Sequence, residues 1–289
     1  MKPLTASYKF EAIGTQWELA THNPLGSQTK QLIAQCIEDF DFAYSRFRPD
    51  SLVSQLHKQP LDGVSFPDSI KPIYDIYQQL EILSDGKINP LVGTRLDELG
   101  YGQDYTLRPK STLSKIPLFT QTSNLQNNHL KLSQPLILDI GAVGKGLLVD
   151  NICKIVANYN QSFIVDGSGD IYIRTDEAQI IGLENPLDTS KVIGTVSITD
   201  LSICASANNR RIWNNYQHII DATNMDNNCN IVATWAITSS TFLADALSTA
   251  LFFVPPDKLM KHFGNFNYVT IDKDQNIAHN INKIGEIFV

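Results

Sequence analysis

Residues 136–173 read LILDI GAVGKGLLVD NICKIVANYN QSFIVDGSGD IYI, and the fold class turns on this stretch. Leu136-Ile137-Leu138-Asp139 has the continuous apolar character of a short buried strand, and Gly141 to Gly146 reads as a tight turn. Leu147 to Tyr159 then carries helical spacing. Phe163-Ile164-Val165 and Ile171-Tyr172-Ile173 are strands on either side of Asp166-Gly167-Ser168-Gly169-Asp170. A repeating βαβ fold would place another helix next. Instead, strands are expected at 180–183, 192–198, 201–205, 217–220 and 231–238. Strands and helices mix without a regular period, which predicts an α+β fold rather than a doubly wound sheet.

On the N-terminal side, Phe10 to Ala20 alternates as a strand interrupted by Gly14-Thr15. Thr29 to Tyr44 has helical spacing, with Leu32, Ile33, Cys36, Ile37, Phe40 and Ala43 recurring at three and four residues. Arg46 to Leu56 reads as a polar loop and a short helical turn. Ser69 to Leu83 is a second amphipathic helix, closed by Asp85-Gly86. A loop rich in Gly, Pro and Asp is expected over 84–112, and an Asn-rich hairpin over 120–134. On the C-terminal side a helix over 241–254 is expected to stop at Pro255-Pro256. No internal repeat or clean linker appears, so residues 1–289 are expected to form a single domain.

The most chemical segment is Thr241 to Phe253, an apolar helix that carries one carboxylate and one hydroxyl. Asp245 and Thr249 are i and i+4, on the same helical face, and can present two oxygens to one point. Hard divalent cations take such oxygens. The same pair also fits a buried Asp bonded to its neighbours, with Thr bonding back to a carbonyl. The turn after Asp139 matches neither phosphate-loop pattern: Lys145 is followed by Gly146 rather than Ser or Thr, and the glycines do not fit GxGxxG. A strand–turn–helix can still turn backbone amides toward an anion, with Lys145 adding charge. A purely structural turn with Lys145 in solvent fits equally. His218 falls at a strand end, where a lone histidine is usually structural. Asp221 suits the start of a turn, and Arg210-Arg211 a solvated pair.

Composition narrows the classes. With 43% hydrophobic and 18% charged residues, the chain can bury a substantial core. The 23 basic and 30 acidic residues give −7, which argues against a general nucleic-acid binder. Cys36, Cys153, Cys204 and Cys229 form no CxxC pair, which disfavours a zinc site and a thioredoxin-like motif. The segment MKPLTASYKFEAIG lacks the apolar core of a signal peptide and has no lipobox. No apolar run reaches the roughly 18 residues of a membrane span. The chain as it stands is expected in the cytoplasm; a trimmed form of an exported protein would look the same and would be periplasmic.

Several segments together resemble the FAD:protein FMN transferase family, the flavin transferases of the ApbE type. They are Phe10 to Trp17, Ser45 to Leu56, Gly86 to Gly93, Asp139 to Gly146 with Asp150, and Gly169-Asp170. Ser206 to Arg211, His218 to Asp221 and Ala244 to Thr249 complete the set, in order along nearly the whole chain. The resemblance implies an α+β, T-fold-like arrangement of mixed sheets with packed helices. It implies a Mg²⁺-dependent enzyme that takes FAD as substrate, moves FMN onto a Ser or Thr of an acceptor flavoprotein, and releases AMP. By family position the metal ligands would be Asp245, Thr249 and the backbone carbonyl of Ala142. Flavin contacts would be Ile13, Phe47, Lys87, Ile88, Asn89, Asp139, Lys145 and Ile220, with His218 a candidate for proton transfer. Some edges depart from the family pattern: Gly86-Lys87-Ile88-Asn89 stands for Gly-Ala-Phe-Asp, and Asp221-Ala222-Thr223-Asn224-Met225 for Asp-Pro-x-Thr-Gly. An FAD pyrophosphatase and a non-catalytic FAD-binding protein are therefore the alternative expectations.

Overall fold

A computed structural model describes residues 4–209, 212–213, 216–224 and 229–288. Arg210, Arg211 and Met225, which belong to the motifs above, lie outside the described residues. The chain divides into two compact units: Met1–Ile37, Ala142–Asn209 and Cys229–Val289 form the first, and Glu38–Gly141 with Arg210–Asn228 the second.

In chain order come β1 (Ala6–Ala12), β2 (Thr15–Thr21), α1 (Ser27–Tyr44), α2 (Leu52–Lys58), β3 (Val64–Ser65) and α3 (Ile70–Leu83). A 3-10 turn, Pro90–Val92, leads into α4 (Gly93–Glu98), then α5 (Phe119–Thr122) and the hairpin β4 (Ser123–Gln126) and β5 (His129–Leu132). Next are α6 (Gly144–Ala157), β6 (Phe163–Asp166), β7 (Asp170–Arg174), β8 (Gln179–Asn185), β9 (Asp188–Ile198) and β10 (Leu201–Ala207). Two short strands, β11 (Ile212–Trp213) and β12 (Tyr216–Gln217), precede β13 (Ile231–Thr238) and α7 (Thr241–Ala250). The last elements are α8 (Pro256–Phe263), β14 (Asn267–Asp272), β15 (Ile277–His279) and β16 (Gly285–Ile287).

The first unit is built on an eight-stranded sheet in the order β1-β2-β6-β7-β10-β13-β14-β15, antiparallel at every pairing. This is the α+β class that the irregular order of elements predicts. Side chains alternate between the two faces of each strand. On β10 and β13, Ile203, Trp235 and Ile237 pack with Val196 and Ile198 of a second sheet, β16-β9-β8, in one apolar core. The opposite face carries Ser202, Cys204, Ser206 and Thr234, and α7 lies on it. Small polar residues there let the helix approach closely, and every one of them is hydrogen-bonded to it. Ser202 shares a hydrogen bond with Thr241 at 2.8 Å, Ser206 with Ser248 at 2.8 Å, and Thr234 donates to the Ser248 carbonyl at 2.5 Å. Each bond satisfies a group whose burial would otherwise be costly.

In the second unit α2 to α5 accompany the small sheet β3-β5-β4. Glu81, almost fully buried, accepts from the N–H groups of Phe119 and Thr120 at the start of α5 and from the Asn89 side-chain amide. The hairpin expected over 120–134 is present, turning through Asn127 (φ 49°) and Asn128 (φ 62°), a left-handed pair that Asn tolerates.

Four expectations are corrected. Leu136 to Asp139 is not a strand: Ile137 N–H donates to the Thr94 hydroxyl and Asp139 N–H to the Pro90 carbonyl, so this apolar run joins no sheet. The 84–112 loop holds the 3-10 turn and α4, started by Asn89, whose side chain accepts from Leu91 N–H, with Pro90 in the first turn. The strand expected over 217–220 is confined to Tyr216–Gln217, and His218 follows it in a bend. The helix from Thr241 ends at Ala250, and Pro255-Pro256 opens α8 rather than only closing α7. Among the described residues no helix is long and apolar enough to cross a membrane.

Candidate active site

Two helices of the first unit clasp each other through exchanged carboxylates. On α7, Asp245 is 3% exposed, and its Oδ2 accepts the N–H of Gly146 in the first turn of α6 at 2.9 Å. On α6, Asp150 returns the favour at the start of α7. Its Oδ1 accepts from Thr241 N–H at 3.0 Å; its Oδ2 accepts from Phe242 N–H at 3.1 Å and the Ser240 hydroxyl at 2.9 Å. Each carboxylate thus satisfies donors that a helix start leaves open, and each meets the positive end of the other helix dipole. Gly146 and Asp150 are i and i+4, so one face of α6 makes both contacts.

The clasp requires the missing side chain at Gly146. A Cβ there would lie 2.2 Å from the Thr241 carbonyl oxygen and 2.7 Å from the Asp245 Cβ. Asp150→Ala should lower stability by about 1–2 kcal/mol, the usual cost of losing a cap of this kind, seen as a lower urea midpoint. A midpoint equal to that of the unsubstituted protein would argue against the clasp.

Beside Asp245 lies a buried ion pair. Lys145 Nζ donates to Asp170 Oδ2 at 2.6 Å, with side-chain exposures of 26% and 0%. Asp170 Oδ1 is buried and has no hydrogen-bond partner. Burial raises the Asp245 carboxyl above its ordinary range, and the Asp170 charge adds to this, while Lys145 and the N–H groups of Gly146 and Lys145 oppose it. For Lys145 burial works against the charged form, but Asp170 and Asp245 outweigh it and keep the ammonium protonated. The first residue of β7 therefore shares a polar cluster with the starts of α6 and the middle of α7. Cys204 on the neighbouring strand donates to the Thr241 carbonyl, and burial raises its thiol well above the usual value, so it is an inert filler.

The structure brings the turn carrying Ala142, Lys145 and Gly146 against the Asp245 helix, as its Gly146 contact records. Thr249 is four residues further along α7 and is partly exposed, as is Ala142. Among the described residues no group of three or more His, Cys, Asp or Glu side chains is placed to hold a metal. A cation here would rely on one carboxylate together with hydroxyl and carbonyl oxygens. Ile13, also in this unit, sits at the tip of the β1–β2 hairpin with φ 45°, next to Gly14 at φ 74°. With Ala12 paired to Thr15, Ile13-Gly14 is a two-residue hairpin loop that needs left-handed backbone at both positions, which a β-branched residue rarely adopts.

The remaining candidates lie in the second unit. Asp139 Oδ2 accepts from Arg46 Nε at 2.5 Å, and its Oδ1 from Gly141 N–H at 2.7 Å. The Arg46 guanidinium lies 4.1 Å from the Phe47 ring centroid and 4.9 Å from that of Tyr101, so it ties Phe47, 40% exposed, to the same group. Ala222 N–H donates to the Lys87 carbonyl at 3.0 Å, so the 87–89 and 218–222 segments lie side by side. Ile88 is buried and Lys87 half-buried. The Asn89 side chain is spent on Glu81, the Pro117 carbonyl and Leu91 N–H. Ile220 packs on a cluster formed by Leu96, Leu99, Tyr101 and Trp213, and His218 is half-buried two residues before it. Asp221 opens a turn by accepting from Thr223, the modest role its sequence context suggested.

Sequence reading gave no role to Asp150, Asp170, Arg46 or Gly146. All four lie in the segments that carry the family resemblance, and that was their signal in the sequence.

A family model described as the ApbE family matches residues 13–269. A curated protein named FAD:protein FMN transferase, from Treponema pallidum, is 24% identical over 277 residues, covering 83% of this chain and 76% of its own length. Among solved structures, the flavin transferase ApbE from Vibrio cholerae superposes with a TM-score of 0.82 at 18% identity, covering 96% of this chain and 97% of that one. The apo flavinyl transferase ApbE of Pseudomonas stutzeri gives 0.78 at 20% identity, with 95% of each chain covered. The ApbE protein of Thermotoga maritima gives 0.82 at 17% identity, covering 95% of this chain and 96% of that one. The structural likenesses establish the fold.

Proposed function

The chain belongs to the ApbE family, and from that membership we propose that it is an FAD:protein FMN transferase. On this reading it binds FAD and joins FMN to a Ser or Thr hydroxyl of an acceptor flavoprotein. The acceptor oxygen bonds to the FMN-side phosphorus, the bond from that phosphorus to the bridging oxygen breaks, and AMP leaves. The hydroxyl proton goes to a base, for which His218 is the candidate. Residues 1–289 would act as one transferase domain.

The carrying observation is the α6–α7 clasp, which holds the Asp245 carboxylate against the glycine turn that the family resemblance marks. The residues there suit Mg²⁺. Asp245 offers a hard oxygen, and the buried cluster has two carboxylates, Asp170 and Asp245, to one ammonium. Asp245, Thr249 and the Ala142 carbonyl would hold the ion, which supplies positive charge to offset that building on the pyrophosphate oxygens. Within the same unit, Ile13 would border the flavin. Phe47, Lys87, Ile88, Asn89, Asp139, Lys145 and Ile220 are proposed as flavin contacts from the resemblance, and Asn89 would contribute backbone rather than its committed side chain.

The experiment is a mass spectrum of products after adding FAD and Mg²⁺, with and without an acceptor flavoprotein. Covalent FMN on the acceptor together with AMP is the expected result. AMP with free FMN and an unlabelled acceptor would assign an FAD pyrophosphatase instead. Intact, stoichiometrically bound FAD would leave a flavin-binding protein without turnover.

A further inference from the structure

Lys145 is the residue immediately before Gly146, whose N–H holds the Asp245 carboxylate at 2.9 Å. A long, flexible cationic side chain therefore starts beside the one acid proposed to take a metal. An ammonium and a divalent cation compete for the same carboxylate oxygens, so a Lys145–Asp245 pair would close the site. The structure has a different pairing: Lys145 Nζ goes to Asp170 Oδ2 at 2.6 Å. Asp170 is fully buried; its Oδ2 holds Lys145, and the Cys204 thiol lies against the carboxylate. Its negative charge is aimed at Lys145.

We propose that Asp170 is a positioning residue that holds the Lys145 ammonium off the Asp245 carboxylate and so keeps Asp245 open to a divalent cation. This rests on the reading of Asp245 as a metal ligand. The side chain of Asp170 reaches Lys145 because Asp170 begins β7, directly after the Asp166–Gly169 turn. That turn is closed by Gly169 N–H donating to Asp166 Oδ1 at 2.9 Å and by Gly167 N–H donating to the Asp170 carbonyl at 2.8 Å. Lys145 adjoins Gly146, whose N–H holds Asp245, and its ammonium holds Asp170, so the three share one cluster. Neutralising Asp170 leaves Lys145 with Asp245 and Asp166 as the nearby carboxyls.

The test is Mn²⁺ titration of the full chain, with free Mn²⁺ read by electron paramagnetic resonance and folding checked by circular dichroism. Asp170→Asn should weaken Mn²⁺ binding by about 10-fold or more, because a protein ammonium now competes for the carboxylate. The double variant Asp170→Asn with Lys145→Met should return to within about threefold of the unsubstituted protein, since the competitor is gone. A purely structural role for Asp170 would not give this rescue. Undiminished binding by Asp170→Asn, or a double variant as weak as the single one, overturns the proposal while leaving the metal reading standing. No Mn²⁺ binding by the unsubstituted protein overturns the metal reading and this proposal with it. If Asp170→Asn does not fold, Lys145→Met alone decides. Binding as tight as, or tighter than, the unsubstituted protein supports the proposal, and lost binding overturns it.

Discussion

Asp245→Asn is expected to cut flavin transfer by about 10³-fold or more while leaving the chain folded. The asparagine keeps an oxygen to accept the Gly146 N–H, so the clasp between α6 and α7 survives. What is lost is the negative charge of the carboxylate proposed to hold a hard cation. The fold does not depend on that charge, because burial and the neighbouring Asp170 both disfavour it. Stability should therefore stay within about 1 kcal/mol of the unsubstituted protein. Labelling of an acceptor by FMN, followed by in-gel fluorescence, measures the loss, and a urea melt measures the retention. Full activity in Asp245→Asn would overturn the proposal that Asp245 holds a metal. Asp245→Ala should also lose transfer, and in addition the cap on α6.

Gly146→Ala is expected to destabilise the first unit strongly, by about 3 kcal/mol. The added Cβ would fall 2.2 Å from the Thr241 carbonyl oxygen and 2.7 Å from the Asp245 Cβ. These neighbours are backbone and the root of a side chain in the first unit, so neither can rotate away. Relief requires α6 and α7 to separate, which lengthens the Gly146–Asp245 bond and disturbs the Asp150 contacts at the other end of the same interface. Transfer should fall together with stability. A urea midpoint within about 0.5 kcal/mol of the unsubstituted protein would mean that the helices are not held as closely as the geometry requires.

Local pattern was legible where one element could be read by itself. The strand Ile231–Thr238 alternates between a sheet core and a helix-covered face, and its bounds follow from that alternation. The helix over 69–83 is marked by its spacing, and Asp85 and Gly86 stop it with left-handed backbone at φ 53° and 87°. Failures came where the deciding partner was distant. Leu136 to Leu138 has strand character, but Ile137 finds its hydrogen-bond acceptor in Thr94 rather than in another strand. Pro255-Pro256 reads equally as a stop and as a first turn, and only the chain beyond it, folded as α8, selects the second.

The sequence by itself determined that Asp245 and Thr249 share one helix face, that a glycine turn precedes another helix, and that the order of elements is α+β. These follow from the 3.6- and 2-residue periods of the backbone, which are properties of neighbouring residues. Only the tertiary structure decided that Gly146 packs under Thr241, that Asp150 and Asp245 cap each other's helices, and that Lys145 turns to Asp170. Each of these is set by how closely two helices and a strand can approach. That depends on small residues at 146, 202, 204 and 206 meeting partners far along the chain, and no local period records it.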